Sequence, residues 1–256
     1  MDDKIKIVSV TPDNVDTYGL FCVKNKKSPG YASKLRWFIQ EYPHGLRLKL
    51  LQDEAGRQLG FIEYTTAEHA WRPIEAPGHL FIHCMFVYRN EDKGKGLASR
   101  LIQDCLEDAR SSGKAGVVAM SSDGAWITSR HIFLKNGFRQ AGNQGRFELM
   151  HYPLSEGALP KFRDWRSRQE GYQGWHLLYA NQCPWHQKCV DELQHYANEV
   201  GISLKVSEIS DAAAAQSAPS GFGVFALIKD GQLLEGHYIS KTRFRNIVKS
   251  TEGIAP

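Results

Sequence analysis

The stretch from Asp92 to Arg100, DKGKGLASR, places two glycines and two lysines directly after the apolar run HLFIHCMFVY. A helix that begins here leaves its first N–H groups without intrahelical partners, and its dipole puts partial positive charge at that end. Glycine lets a backbone approach a phosphate closely, and Lys93 and Lys95 add charge. The stretch lacks the G-K-[ST] ending of a P-loop and the third glycine of a dinucleotide-binding loop. We therefore predict a pyrophosphate-binding turn that suits neither ATP nor NAD; the alternative is a plain glycine-containing connection.

Two polar residues interrupt apolar strand patterns and are candidates for proton transfer. Glu63 lies in GFIEY and His83 lies in FIHCM. Burial in a strand would raise the pKa of a glutamic acid towards neutrality, which suits a general base. The structural alternatives are an ion pair of Glu63 with Arg72 or another neighbour, and a hydrogen-bonded core histidine at position 83.

A second chemical motif, NQCPWHQKC, lies near the carboxyl end of the chain. It predicts a helix with Cys183 at the N-cap and Pro184 in the first turn, where the helix terminus lowers the pKa of a thiol. Cys183 is therefore the candidate reactive thiol. If Cys183 and Cys189 were both helical they would lie about 9 Å apart along the axis, beyond the reach of a disulfide. Cys183, His186 and Cys189 offer only three ligands at three-residue steps, so we predict no metal site and leave structural roles open.

The elements that must position these residues follow from the periodicity of apolar positions. Residues 1–154 predict the order β-α-α-β-β-β-α-β-α-β-β, whose βαβ part implies a mixed, partly parallel sheet flanked by helices. Residues 155–174 are predicted to be a linker, because glycine, proline and charges are mixed there without periodicity. Residues 175–256 predict β-α-β, then a hairpin, then a helix, which is the thioredoxin-like order. The clearest helical stripe consists of Leu97, Ala98, Leu101, Ile102, Cys105, Leu106 and Ala109.

The composition of the chain limits the class of protein but does not indicate a single function. The chain has 256 residues and a formal net charge of +4, which suits a phosphate-bearing small molecule as well as RNA. The amino terminus lacks the apolar core of a signal peptide, and the longest apolar run, Leu80–Tyr88, is too short to cross a membrane. Five scattered cysteines do not form a disulfide framework. We expect a cytoplasmic protein without a membrane partner.

Nucleic acid is the remaining macromolecular partner to consider. The linker combines arginine and lysine with Phe162 and Trp165. A solvated linker that packs its aromatic residues on a neighbour explains this composition better than a nucleic-acid strip does. We predict no nucleic-acid partner and leave a homodimer open.

The motif KGKGLA resembles the acetyl-CoA signature R/Q-x-x-G-x-G/A of the GNAT superfamily of N-acetyltransferases, with Lys93, Gly96 and Ala98 at the defined positions. The order of elements over residues 1–154 is similar to that fold, and HIFLKNGF resembles its late helix and following turn. GFIEY, AWRP, IHC, FLKNGF and the cysteine-bearing tail resemble the YoaP-like group of two-domain GNAT proteins. This second resemblance extends over nearly the whole chain.

The resemblance implies that acetyl-CoA is the co-substrate and that an acetyl group passes to the primary amine of a small molecule by direct attack in a ternary complex. Backbone amides of the glycine-rich turn would hold the pyrophosphate, and the main chain at the end of the preceding strand would align the acetyl carbonyl. The alternative function is a thiol-redox or metal-sensing protein that uses the fold only as a CoA-binding module. The implied cofactor-binding residues are Phe86, Val87, Lys93, Gly94, Lys95, Gly96, Leu97, Ala98, Trp126 and Phe133.

Two of these residues depart from the family pattern. Phe133 stands where the superfamily often has a tyrosine general acid, and Trp126 stands where it often has an asparagine that contacts CoA. The usual acid is therefore missing, and Tyr88 and Tyr64 are the alternatives that the sequence leaves open.

Overall fold

The computed structural model describes residues 5–124 and 127–253. The chain divides into two compact units, and both are assembled from separate segments. The first contains the chain up to Lys24, Phe38–Ala70 and Ile74–Phe162; the second contains Asn25–Trp37, Trp71–Pro73 and the chain from Arg163 onwards. The sequence-based boundaries at 154 and 174 follow the chain without interruption, whereas here two short segments of the amino-terminal half belong to the second unit.

A seven-stranded mixed sheet forms the centre of the first unit, with the order β1-β2-β3-β5-β6-β8-β7. Only β5 and β6 run parallel; the other neighbours are antiparallel, which confirms the predicted mixed sheet. Its strands are β1 (Ile5–Val10), β2 (Arg47–Asp53), β3 (Gln58–Thr66), β5 (His79–Val87), β6 (Gly116–Ser121), β7 (Arg139–Gln144) and β8 (Phe147–Pro153).

Helices and a small second sheet complete the amino-terminal part of the chain. The helices are α1 (Val15–Tyr18), α2 (Pro29–Glu41), α3 (Leu97–Ser111) and α4 (Arg130–Lys135). Two-residue strands β4 (Ile74–Glu75) and β9 (Lys161–Phe162) pair with each other, so the predicted linker contains ordered structure.

Helix α3 covers one face of the seven-stranded sheet. Its predicted apolar stripe is confirmed, since every member is buried except Ala98, which is partly buried against the same core. The stripe packs against strand residues such as Ile62 and Tyr64 of β3 and Met85 and Val87 of β5. Residues of β3 and β5 that alternate with these therefore face the other side of the sheet.

Strands β5 and β6 separate halfway along their length. The parallel pairing runs from His79 opposite Gly116 to Ile82 opposite Ala119 and ends there. Strand β5 nevertheless continues to Val87, while the end of β6 pairs with β8. Beyond Ile82, within the described parts of the chain, no strand pairs with this edge of β5.

A β-bulge lies at the same point on β5. On β3, Glu63 pairs with Cys84 and Tyr64 pairs with Ile82, so His83 is an extra residue without a counterpart. Bulges re-aim side chains and are common beside active sites.

The second unit contains a four-stranded sheet of order β11-β10-β12-β13, in which only β10 and β11 are parallel. The predicted order of strand, helix, strand, hairpin and helix is confirmed. A likeness to thioredoxin-like folds stays a prediction. The elements are β10 (Trp175–Tyr179), α5 (Trp185–Glu199), β11 (Leu204–Glu208), α6 (Ala212–Gln216), β12 (Phe225–Lys229), β13 (Gln232–Glu235) and α7 (Lys241–Glu252).

Two glycines fit the amino-terminal segments closely into this unit. A Cβ at Gly30 would lie 2.1 Å from the Pro184 carbonyl oxygen, and a Cβ at Gly223 would lie 2.9 Å from the Cα of Arg72. Gly223 also has φ +73°, a conformation that side chains rarely adopt. Across residues 5–124 and 127–253, each helix is too short or too polar to span a bilayer.

Candidate active site

The glycine-rich turn leads directly into α3. Gly96 is the N-cap of the helix with φ +80°, and Gly94 has φ +79°. Both values lie in the left-handed region, which explains why glycine occupies both positions. No described side chain caps the helix, and a Cβ at either glycine would meet no described atom within 4 Å. The turn therefore has free space beside both glycines, and the start of α3 has no side-chain cap, as a pyrophosphate site requires.

The neighbouring lysines are held by polar residues of the same loop. Lys93 Nζ donates to Asn90 Oδ1 at 2.8 Å, and Lys95 Nζ lies 3.4 Å from Asp92 Oδ1. The side chain of Leu97 is buried in the core, so only its main chain can serve a ligand. The geometry thus fits a turn that binds phosphate mainly through its backbone.

At the end of β5 the two predicted cofactor-binding residues face opposite sides. Val87 is buried towards α3, whereas Phe86 is 47 % exposed. Glycine at position 60 lets β3 lie close to β5, because a Cβ there would be only 2.7 Å from the Phe86 carbonyl oxygen. Thr128, which the sequence analysis missed, donates its hydroxyl to the Met85 carbonyl at 3.4 Å from the loop after β6. No sequence motif marks this threonine.

Of the two residues that depart from the family pattern, the structure describes Phe133 only. Phe133 is 1 % exposed and packs on Phe138 with ring centroids 5.4 Å apart, so it is a core residue. It has no proton to donate. Trp126 lies outside the described residues.

Glu63 and His83 are brought together. Their side chains are buried, and His83 Nδ1 lies 3.6 Å from Glu63 Oε1. The bulge makes this contact possible, since a regular β5 would place position 83 in the ladder rather than beside it. Both residues lie on the face of the sheet opposite α3.

The structure separates the two alternative tyrosines. The Tyr64 hydroxyl donates to Asp108 on α3, in a cluster where Lys49 Nζ lies 2.6 Å from Asp104 and 2.9 Å from Asp108. Burial raises the pKa of Tyr64 far above its usual range. Tyr64 is therefore a structural residue on the side away from Glu63, whereas Tyr88 is 53 % exposed at the end of β5.

In the second unit, the predicted N-cap position of Cys183 is wrong by one residue. Pro184 is the N-cap and α5 begins at Trp185; the Pro184 backbone already has helical angles, with φ −67° and ψ −14°. Cys183 precedes it and is partly exposed.

The two other members of the motif are interior residues. His186 is fully buried and its Nδ1 donates to the Ala180 carbonyl at 2.8 Å; burial lowers the pKa of His186 to about 4. Cys189 donates to the Ile239 carbonyl at 3.2 Å, and burial raises the pKa of Cys189 to about 12. Within the described parts of the chain, no three histidine, cysteine or acidic side chains are placed to hold a metal ion.

Comparison with known proteins identifies the class to which this fold and glycine turn belong. Residues 13–138 match the family model of the acetyltransferase (GNAT) family. The chain therefore carries a GNAT domain, and it is an acetyltransferase for which acetyl-CoA is the co-substrate.

Similar proteins indicate the group of GNAT proteins that this chain resembles. The chain is 26 % identical over 250 residues to YoaP, an N-acetyltransferase of Bacillus subtilis described as uncharacterized, covering 95 % of this chain and 98 % of YoaP. It belongs with a YoaP-like group of GNAT proteins, as the sequence resemblance predicted. It is also 31 % identical over 100 residues to the L-methionine sulfoximine/L-methionine sulfone acetyltransferase of Pseudomonas aeruginosa, covering 39 % of this chain and 55 % of that protein. Among solved structures, an N-acetyltransferase from Staphylococcus aureus Mu50 is 17 % identical, with 59 % of this chain and 98 % of that chain covered and a TM-score of 0.42.

Proposed function

We propose that this chain transfers the acetyl group of acetyl-CoA to the primary amine of a small molecule, by direct attack in a ternary complex. The observation that carries the proposal is the placement of three features along β5 and its exit. These features are the buried Glu63–His83 pair at the bulge, the open edge beyond Ile82, and the uncapped helix start at Gly96.

The Glu63–His83 pair removes the proton from the acceptor amine. An amine is protonated in neutral water and cannot attack a carbonyl until it loses that proton. The nearest nitrogen of His83 and oxygen of Glu63 are 3.6 Å apart, within ion-pair range, so a change of charge on one side chain acts directly on the other. Their burial supports this role, because a buried carboxyl group accepts a proton more readily than an exposed one.

The main chain performs the remaining binding tasks. Amides from Lys93 to Ala98 hold the pyrophosphate, and the main chain at Phe86 and Val87 aligns the acetyl carbonyl. A strand N–H beyond Ile82 stabilises the negative charge that develops on the carbonyl oxygen during attack. Since Phe133 has no hydroxyl, the thiolate leaves as an anion and takes its proton from solvent.

Three further points complete the proposal. The Pseudomonas relative is named for small amino-acid derivatives, which supports a small acceptor. The five cysteines are too scattered to form a disulfide framework, which supports a reducing, cytoplasmic location. The order of strands and helices in the second unit supports a thioredoxin-like fold. The rival hypothesis of a metal or redox sensor loses support, because His186 and Cys189 are buried in their own unit.

Turnover of acetyl-CoA across a library of primary amines tests the proposal. We expect turnover with at least one small amine and its loss in a Glu63→Gln variant that still binds acetyl-CoA in calorimetry. Binding of acetyl-CoA without turnover of any amine would contradict it. A Cys183→Ser variant should keep the activity, whereas the rival hypothesis requires Cys183.

A further inference from the structure

Four aromatic residues lie together beside the candidate base, and we call them the aromatic wall: Phe21 and Phe61, which are buried, and Phe86 and Tyr88, which are exposed. The Phe21 ring lies 4.7 Å from the Phe61 ring and meets the Tyr88 ring edge-on at 6.1 Å. Phe86 and Tyr88 are about half exposed, although large apolar side chains are usually covered. Two exposed aromatic side chains supported by two buried rings are a candidate binding surface.

The register of the sheet places the wall next to Glu63. Phe61 and Glu63 are two residues apart on β3 and share the face opposite α3. Phe86 pairs directly with Phe61 across the two strands, so it shares that face as well. The wall and the candidate base are therefore about 7 Å apart along β3, which is two strand residues.

The backbone at Phe21 indicates that the wall is not incidental. Phe21 has φ +60°, and the preceding Gly19 has φ +73°. A left-handed conformation is unfavourable for a phenylalanine and persists only when the surrounding structure requires it. Here it holds the Phe21 ring against Phe61 and Tyr88. Strain of this kind clusters at ligand sites.

Lys24 limits what the wall can bind. Its ammonium group lies 5.0 Å from the centre of the Tyr88 ring. Aromatic faces attract cations, but this ring already interacts with one. A second ammonium group on the acceptor would be repelled by Lys24, whereas a neutral ring would not.

We infer that the aromatic wall binds an aromatic group of the acceptor, so that the acceptor is an arylalkyl monoamine and not a polyamine. The amine reaches Glu63 and His83 while the ring packs on Tyr88 and Phe86. This inference rests on the proposed function, since it assigns the substrate class of the same site.

Steady-state kinetics with phenethylamine, ethylamine and spermidine tests the inference. Ethylamine has the reacting amine but no ring, so its rate of acetylation measures acetyl transfer without any contact between a substrate ring and the aromatic wall. The variants are Tyr88→Ala, Tyr88→Phe and the control Leu159→Ala, which removes an apolar side chain that is 71 % exposed elsewhere in the same unit. We expect Tyr88→Ala to raise KM for phenethylamine about tenfold more than it raises KM for ethylamine, and Tyr88→Phe to keep the preference of the parent protein for phenethylamine.

Three results would overturn the inference while acetyl transfer itself stands. They are a higher kcat/KM for spermidine than for phenethylamine, an equal effect of Tyr88→Ala on both monoamines, and an equal loss in Tyr88→Phe, which would assign the role to the hydroxyl.

Calorimetric titration of phenethylamine in the presence of CoA distinguishes a failure of the proposed acetyl transfer from a failure of the inference about the aromatic wall. If no amine is acetylated but phenethylamine binds, and the Tyr88→Ala variant binds it about tenfold more weakly, the wall is supported and the proposed chemistry is wrong. If phenethylamine binds equally to the parent and to Tyr88→Ala, the inference is wrong.

Discussion

His83 Nδ1 and Glu63 Oε1 lie 3.6 Å apart with both side chains sealed from solvent. The contact joins two neighbouring strands at the residue where β5 gains an extra position. A carboxylate and an imidazolium held this way neutralise each other, which reduces the cost of a charge in the apolar interior.

Replacing Glu63 with glutamine should lower kcat for the best amine about 10²–10⁴-fold, because the isosteric amide cannot accept the proton. The affinity for acetyl-CoA should not change, since Glu63 lies on the opposite face from the helix start. Glu54→Gln, in the turn between β2 and β3, is the matched control. Combining Glu63→Gln with His83→Gln should cost little more than either change alone if the two residues act as one unit. Additive losses would show that they act separately.

Replacing Gly96 with alanine should weaken the binding of acetyl-CoA. The backbone at Gly96 has φ +80°, so an alanine would shift the turn and misplace the first amides of α3. We expect a loss of about 1–2 kcal/mol, which calorimetry would register as a five- to thirtyfold rise in Kd. Gly142→Ala is the control, because its Cβ would meet no described atom within 4 Å and no left-handed φ is required there. Parent-like affinity in Gly96→Ala would contradict a backbone cradle.

Stability should fall as the solution is acidified. His151 is buried, and burial together with the neighbouring His79 lowers the pKa of His151 to about 4; burial lowers the pKa of His186 to about 4 as well. The Nε2 atoms of the His79 and His151 rings lie 3.1 Å apart, and His79 Nδ1 lies 2.9 Å from the Pro77 carbonyl oxygen. A histidine in the unfolded chain has a pKa of about 6.5, so between pH 6.5 and 4 the unfolded state binds more protons.

The stabilisation from each histidine is therefore complete above pH ~6.5 and is lost as the pH falls towards ~4. Between pH 7.5 and 5 each residue should contribute a loss of about 2 kcal/mol in the free energy of unfolding, as measured with urea. In a His186→Gln variant this pH dependence should be smaller by about that amount, even if the variant is less stable throughout. An unchanged pH dependence would show that His186 does not titrate on unfolding.

Replacing Gly30 with alanine should destabilise the second unit. The new Cβ would lie 2.1 Å from the Pro184 carbonyl oxygen, so the start of α2 or the turn before α5 must move. Overpacking of this kind costs about 1–3 kcal/mol. Thermal unfolding followed by circular dichroism measures the effect, and Gly171→Ala, with no described atom within 4 Å of its Cβ, is the control. Equal melting temperatures for the two variants would contradict the close packing.

Cys183 should react with iodoacetamide faster than Cys189, the other cysteine of its unit. It is partly exposed just before α5, whereas Cys189 is buried with a raised pKa. The positive end of a helix favours the thiolate, which is the reactive form. Mass spectrometry of peptides after brief labelling at pH 7 gives the order of reaction. Equal labelling of both cysteines would argue against the assignment.

Local patterns were sufficient to predict most of the fold. The apolar stripe of α3 and the alternation in β2, β3 and β5 repeat over enough residues to identify the elements. The parallel pairing of β5 and β6 then follows from the helix between them. Cys183 was misplaced by one residue because proline fits both the N-cap and the first turn of a helix.

The site could be predicted only in part, because its geometry depends on pairing between distant residues. The motif at Lys93–Ala98 predicts a phosphate-binding turn, because glycines before a helix are a local signal that needs no knowledge of distant pairing. The contact between Glu63 and His83 depends on a bulge that only the register of two strands defines. The left-handed Phe21 and the bond from Thr128 to Met85 leave no trace in periodicity.

The assembly of the second unit from Asn25–Trp37, Trp71–Pro73 and the chain beyond Arg163 has a consequence for synthesis in the cell. Trp37 and Trp71, whose rings lie 5.5 Å apart in the finished unit, leave the ribosome more than ninety residues before the strands of that unit exist. The two indole side chains are therefore synthesised before the residues of the second unit that bury them. A nascent chain halted before β10 should therefore bind chaperones that recognise exposed aromatic segments.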